Sequence, residues 1–266
     1  MQMMSSPKVY QSPWFQVPRP VETPKLRLFC FSYAGGNAST YRDWYKLLPA
    51  DVEVCSVQLP GRGSRFKERA YTTLSSLLDA LQGAIKPHID VPYAFFGHSM
   101  GAQLAFELAR RLRDSGLRGP ACLIVSGRRA PQRPPRNKPI HSLPESEFRE
   151  EIRRLNGTPE EALNNPELMD IVSPILRADC QVVETWEYRI SDPINVPLLA
   201  LGGVKDKQVS LEDLEDWRSV TQGPFTLQVF SGDHFFINQV TDTLLNTISQ
   251  ALDCVLGRAE GLLSRR

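Results

Sequence analysis

The sequence predicts an α/β fold: a mainly parallel central sheet with helices on both faces and a helical insertion. Three observations carry this. Short, nearly continuous apolar runs alternate with amphipathic stretches over the first half of the chain, as expected of strands buried on both faces. The alternation stops after residue 125 and resumes near residue 197. Between those points, residues 144–190 read as helices in succession.

Residues 1–25 contain Pro7, Pro13, Pro18, Pro20 and Pro24, which excludes a helix or a central strand. They read as an extended arm pinned by Trp14 and Phe15. Residues 26–31 form an apolar run ended by Ala34-Gly35-Gly36, a strand and then a turn. A helix is predicted over 41–48, stopping before Pro49, and a strand over 52–57, closed by Leu59-Pro60-Gly61-Arg62-Gly63. Leu74, Leu77, Leu78, Leu81 and Ile85 fall at helical offsets within 72–85. Strands over 93–96 and 121–125 bracket a helix over 100–113. Helical pieces follow at 145–155, 159–163 and 166–188. Strands at 197–201 and 225–230 and a helix at 241–256 complete the pattern. An insertion of this length reads as a lid; the alternative is a second helical layer without motion.

Composition narrows the function. The chain is 41% hydrophobic and 23% charged, enough for a core and unlike a disordered chain. Lys and Arg number 31 against 30 Asp and Glu, so there is no basic excess of the kind nucleic-acid binders carry. No apolar run approaches the ~18 residues of a membrane span, and Met1 to Pro7 has no apolar segment of a secretion signal. A cytoplasmic protein and a monomer, with no membrane or nucleic-acid partner, is expected. Five scattered cysteines, none at metal-ligand spacing, argue against disulfides and zinc; no metal and no bound cofactor are expected.

Gly97-His98-Ser99-Met100-Gly101 fits Gly-x-Ser-x-Gly, with a strand before it and a helix after it. So sharp a turn needs glycine on both sides, since a Cβ would strike neighbouring backbone. It lifts the Ser99 hydroxyl off the sheet and aims the first helical amides at whatever Ser99 attacks. Of four histidines, His98 sits in the turn facing away, His88 precedes the nucleophile strand at the opposite sheet end, and His141 lies upstream of any plausible acid. His234, after the last strand, reaches the edge where Ser99 sits. The order serine, acid, histidine is that of an α/β-hydrolase. Asp206 is the one carboxylate in the turn after strand 197–201, and the turn after 121–125 has none. Asp233 competes, although side chains adjacent in a loop seldom reach in-line geometry with Nδ1. The oxyanion donors are expected to be the N–H groups of Met100 and Ala34, with Tyr33 second.

Phe29 to Gly36, Tyr41, Trp44, Gln58 to Arg65 and Phe96 to Ala102 together resemble the type II thioesterases, stand-alone hydrolases that accompany polyketide synthases and nonribosomal peptide synthetases. The resemblance continues through Pro174-Ile175-Leu176-Arg177-Ala178-Asp179, Gly202 to Asp206 and Gly232 to Phe236, from about residue 12 to 255. Ser32 departs from it, since proline is common there. The resemblance implies a single α/β-hydrolase domain over 1–266: core about 12–136 and 191–256, a flexible lid about 137–190, flexible ends 1–11 and 257–266. It implies a catalytic triad of Ser99, Asp206 and His234. Asp179 matches a motif of the family and reads as a lid anchor, not a catalyst, and Tyr33 and Phe235 are the expected substrate contacts. The partners it implies are acyl- or peptidyl-carrier protein domains, which bring the phosphopantetheine themselves. A medium-chain thioesterase ending fatty-acid synthesis and a non-catalytic hydrolase-fold binding protein are the alternatives. Arg128, Arg129, Arg133, Arg136 and Lys138, and Arg62, Arg65, Lys67 and Arg69, are either solvated runs or the lips of a docking face for an acidic carrier.

Overall fold

The structure, a computed structural model, describes residues 9–263. Its strands are β1 (Phe15–Gln16), β2 (Leu26–Phe31), β3 (Val52–Val57), β4 (Tyr93–His98), β5 (Cys122–Ser126), β6 (Leu198–Gly203) and β7 (Phe225–Phe230). Its helices are α1 (Leu74–Ile85), α2 (Met100–Asp114), α3 (Glu145–Leu155), α4 (Glu160–Leu163), α5 (Pro166–Glu184), α6 (Leu211–Glu215) and α7 (Thr241–Val255). The strands lie side by side as β1-β3-β2-β4-β5-β6-β7. Only β1 runs antiparallel to its neighbour, on the outer edge of β3.

Side-chain alternation along β2 shows how the layers form. Phe29 and Phe31 join the core shared with α1 and α2, while Leu26, Leu28 and Cys30 join the one shared with α7. The chain moves outward from β2 to β3 and returns to the other side of β2 as β4. The strand order therefore reverses between β2 and β4, the place where open α/β sheets leave a crevice at their carboxyl ends. Phe31 pairs with Gly97 and His98 with Ser126, which brings the ends of β2, β4 and β5 to one level.

Three local expectations change. The helix over 41–48 is instead two 3-10 turns, Ala38–Tyr41 and Trp44–Lys46. Tyr41 donates its hydroxyl hydrogen to the Phe31 carbonyl at 2.8 Å, and its ring meets that of Trp44 at 4.7 Å. Two anchors three residues apart suit a period of three better than 3.6. The helix over 166–188 ends at Glu184, after which Tyr188 stacks on Arg110 instead. The unforeseen α6 owes its start to a reciprocal cap between Ser210 and Asp213.

Helices α3 to α5 have a small core of their own, made by Phe148, Ile152, Leu163, Met169, Leu176 and Cys180. Glu145 ties α3 to α5. Burial works against its charge, but hydrogen bonds from Ser173, Arg149 and Arg177 hold its carboxyl at about 2. Of the two ends expected to be flexible, residues 1–8 and 264–266 lie outside the described residues. Val9 and Leu263 are buried, and Arg258 near the far end pairs with Asp51. Among the described residues no helix is long and apolar enough to cross a membrane.

Candidate active site

Ser99 sits between β4 and α2 with φ 53° and ψ −113°, a left-handed backbone that side chains other than glycine rarely adopt. Its neighbours explain the sequence of the turn. A Cβ on Gly97 would lie 2.1 Å from the Gly101 carbonyl oxygen, and one on Gly101 would lie 2.0 Å from that of Phe31. The Ser99 N–H donates to the Ser126 carbonyl at 2.8 Å and seats the turn on β5.

His234 and Asp206 meet Ser99 at this edge. His234 Nε2 stands 3.1 Å from Ser99 Oγ, and Nδ1 stands 2.8 Å from Asp206 Oδ2. The other Asp206 oxygen accepts the N–H groups of Gln208 and Val209 at 2.7 and 3.2 Å. The carboxylate is thus fixed from behind while it faces the imidazole. Asp233 is engaged elsewhere: its Oδ1 accepts the Phe235 N–H at 2.9 Å and the Gln239 amide at 3.2 Å.

The other histidines take separate places. His98 is fully buried, with Nδ1 2.9 Å from Ser126 Oγ. Burial, and then the neighbouring His234, holds its pKa well below the usual imidazole value. His88 packs edge-on against Phe15, and His141 places Nδ1 2.6 Å from Glu184 in the insertion.

The turn after β2 begins against the Ser99 turn, where a Gly101 Cβ would lie 2.8 Å from the Ser32 carbonyl oxygen. The Gly36 N–H donates to the Tyr33 carbonyl at 2.9 Å, and Gly35 adopts φ 78°. A trans peptide with its carbonyl turned to Gly36 presents the Ala34 N–H on the opposite side. Neither that N–H nor the Met100 N–H, the first of α2, has an acceptor among the described residues. The Tyr33 ring meets those of Phe235 and His98 at 5.1 and 5.9 Å.

Ser99 and His234 open on a cleft of about 770 Å³. One wall is the Pro- and Arg-rich stretch 127–139; the other carries Val183, Trp186 and Tyr188. Tyr33 and Phe235 are not among its lining residues; the Phe235 ring lies edge-on to that of His234 at 5.1 Å. The sequence signal for these walls was the proline-punctuated run straight after β5. Arg128 in this wall is desolvated; burial first, then the Arg129 charge, lowers it to about 10.

Of the second basic segment, Lys67 and Arg69 are exposed while Arg62 and Arg65 are buried. Arg62 is buried and gives two hydrogen bonds to Asp179, at 2.5 and 2.7 Å. Arg65 lies over the Trp14 ring at 3.9 Å and pairs with Glu68 at 2.6 Å. Both cations are consumed inside the fold.

Residues 26–252 match the thioesterase domain family. The chain is 40% identical over 262 residues to the Brevibacillus parabrevis protein named linear gramicidin dehydrogenase LgrE, covering 97% of this chain and all of that one. It is 42% identical to the gramicidin S biosynthesis protein GrsT of Aneurinibacillus migulanus, over 91% of this chain and 95% of that one. Among solved structures, the type II thioesterase BorB from the borrelidin biosynthetic cluster superposes with a TM-score of 0.82 at 36% identity, over 90% of this chain and 97% of that one.

Proposed function

The chain belongs to the thioesterase family, and from that premise we propose an editing serine thioesterase of polyketide or nonribosomal peptide assembly. It hydrolyses acyl thioesters from the phosphopantetheine arm of acyl- or peptidyl-carrier protein domains. The observation that carries the reading is the relay from Asp206 through His234 to Ser99, at 2.8 and 3.1 Å.

In this reading His234 Nε2 takes the Ser99 proton as Oγ attacks the thioester carbonyl, and Asp206 steadies the imidazolium that forms. The Ala34 and Met100 N–H groups receive the oxyanion. The thiol departs with the proton from His234, leaving an acyl group on Ser99. A water deprotonated by His234 then attacks the ester; the acid leaves and Ser99 recovers its proton. Side chains, backbone and water suffice, and one copy of the chain supplies the whole relay. The cleft volume suits an acyl chain with the inner end of the arm. The assembly-line setting is supported by the names of GrsT and BorB.

The test uses a fluorophosphonate probe and a series of acyl-pantetheine thioesters of increasing length. The expected result is a label on Ser99, and turnover that falls by at least ~10³-fold in Ser99→Ala. An unlabelled Ser99 would favour a binding protein. A steep rise toward medium chains would favour an enzyme that ends fatty-acid synthesis.

A further inference from the structure

The insertion reaches back to the active-site turn through one side chain. Asp179, on α5, is buried. Its Oδ2 accepts the Gly35 N–H at 2.7 Å, and both its oxygens receive the Arg62 guanidinium, at 2.5 and 2.7 Å. Arg62 also reaches the Gly36 carbonyl at 3.4 Å. One helical turn earlier, the Leu176 side chain comes within 2.5 Å of where a Gly35 Cβ would be. Helix α5 is thus seated on the turn by an apolar contact and a charged clamp together.

The turn has three peptide planes to set. The Gly36 N–H holds the Tyr33 carbonyl and so the plane that carries the Ala34 N–H. Asp179 holds the next plane, between Ala34 and Gly35. The positive φ of Gly35 depends on that orientation. With Gly35 N–H committed to Asp179, Ala34 N–H is the donor left to face Ser99.

We propose that Asp179 is a positioning residue for the reaction: through Gly35 it fixes the turn that presents the Ala34 N–H, and it makes α5 a rigid part of the oxyanion site, not a moving part of the lid. The proposal rests on the thioesterase reading above. A charge-assisted bond to a backbone N–H is among the stronger orienting contacts available to a turn. A misplaced oxyanion donor costs rate far more than substrate binding.

Removing Asp179 alone would leave Arg62 buried and unpaired, so stability and catalysis must be separated. The pair is therefore replaced together, as Arg62→Met/Asp179→Leu, which fills the space without a stranded charge. Arg62→Lys serves as a companion, since it loosens the fork but keeps the Asp179 bond to Gly35. In the double variant kcat is expected to fall by about tenfold to hundredfold with KM within about threefold, while the melting temperature stays close to wild type. Its affinity for a trifluoromethyl ketone analogue, which forms an oxyanion on Ser99, should fall by the same factor as kcat/KM. Arg62→Lys should keep kcat within about fivefold. A folded double variant with wild-type kcat and analogue affinity overturns the proposal while leaving the thioesterase reading intact. A loss in Arg62→Lys equal to that of the double variant overturns it too, because the Gly35 contact would then be irrelevant. A wild-type chain that neither hydrolyses thioesters nor reacts with fluorophosphonate overturns both.

Discussion

The ring of His98 lies 5.2 Å from that of His234, centroid to centroid, so two imidazoles share one buried corner of the site. They differ in what surrounds them. His98 is enclosed, and a proton there would meet both desolvation and the neighbouring His234.

That corner gives a pH dependence of stability. The His98 pKa is lowered in the fold, first by burial, whereas the unfolded chain takes up the proton near 6.5. Below that pH the unfolded state binds more protons, so stability is complete above about 6.5 and is lost as pH falls below it. One proton gives a slope of up to about 1.4 kcal/mol per pH unit. Urea unfolding between pH 7 and 5 should show a shallower slope in His98→Asn than in wild type. Equal slopes would mean that the fold does not lower the proton affinity of His98.

Asp206→Asn should lower kcat by about 10³-fold or more, since it removes the acceptor that holds the His234 tautomer. Asp233→Asn should stay within about fivefold, since that carboxylate accepts the Phe235 N–H and the Gln239 amide while Nδ1 is paired with Asp206. Steady-state kinetics on one acyl-pantetheine thioester decides between them. The reverse ranking would transfer the acid role to Asp233.

Two glycine-to-alanine changes should move stability in opposite directions. Gly101→Ala puts a methyl 2.0 Å from backbone oxygen, and soluble folded protein should not be recovered. Gly83, inside α1, has nothing within 4 Å of its Cβ position. Gly83→Ala should stabilise by roughly 0.5–1 kcal/mol through helix propensity. Thermal melts check both, and a Gly101→Ala variant that melts like wild type would contradict the close approach described here.

The basic wall of the cleft should steer an acidic carrier, but fewer of its charges are free than the sequence suggests. Arg136 pairs with Asp213 at 3.0 Å and Arg133 with Asp216. Arg129 and Lys138 remain. Changing both to Ser should lower kcat/KM for an acyl-carrier protein several-fold at low ionic strength, with the gap closing as salt is added. A small acyl-pantetheine thioester should be hydrolysed as before. Equal losses on the two substrates would indicate damage to the cleft itself.

The parts of the site readable from sequence are those set by short-range geometry. The Gly97 and Gly101 flanks are steric requirements of a single turn. Asp206 and His234 could be found because each follows a strand, and parallel strands deliver their ends to one edge. The clamp between Arg62 and Asp179 spans 117 residues; sequence displays the charges but not that each consumes the other. That is why Arg62 and Arg65 read as surface cations. The wall over 127–139 was signalled by its prolines and arginines, whereas Trp186 and Tyr188 of the other wall carried no signal, because the chain leaves the helical period after Glu184. The 3-10 turns at Tyr41 and Trp44 replaced a helix because buried anchors, not propensity, set the local repeat.

The backbone at Ser99 has a consequence for any lineage or library of this protein. A non-glycine residue held at φ 53° stores on the order of 1–3 kcal/mol, and glycine at this position would release it. Losing Ser99, the nucleophile in the proposed reaction, is therefore a downhill step in folding terms. A screen that rewards only soluble yield will enrich inert copies, and only selection that reads turnover keeps the serine in place.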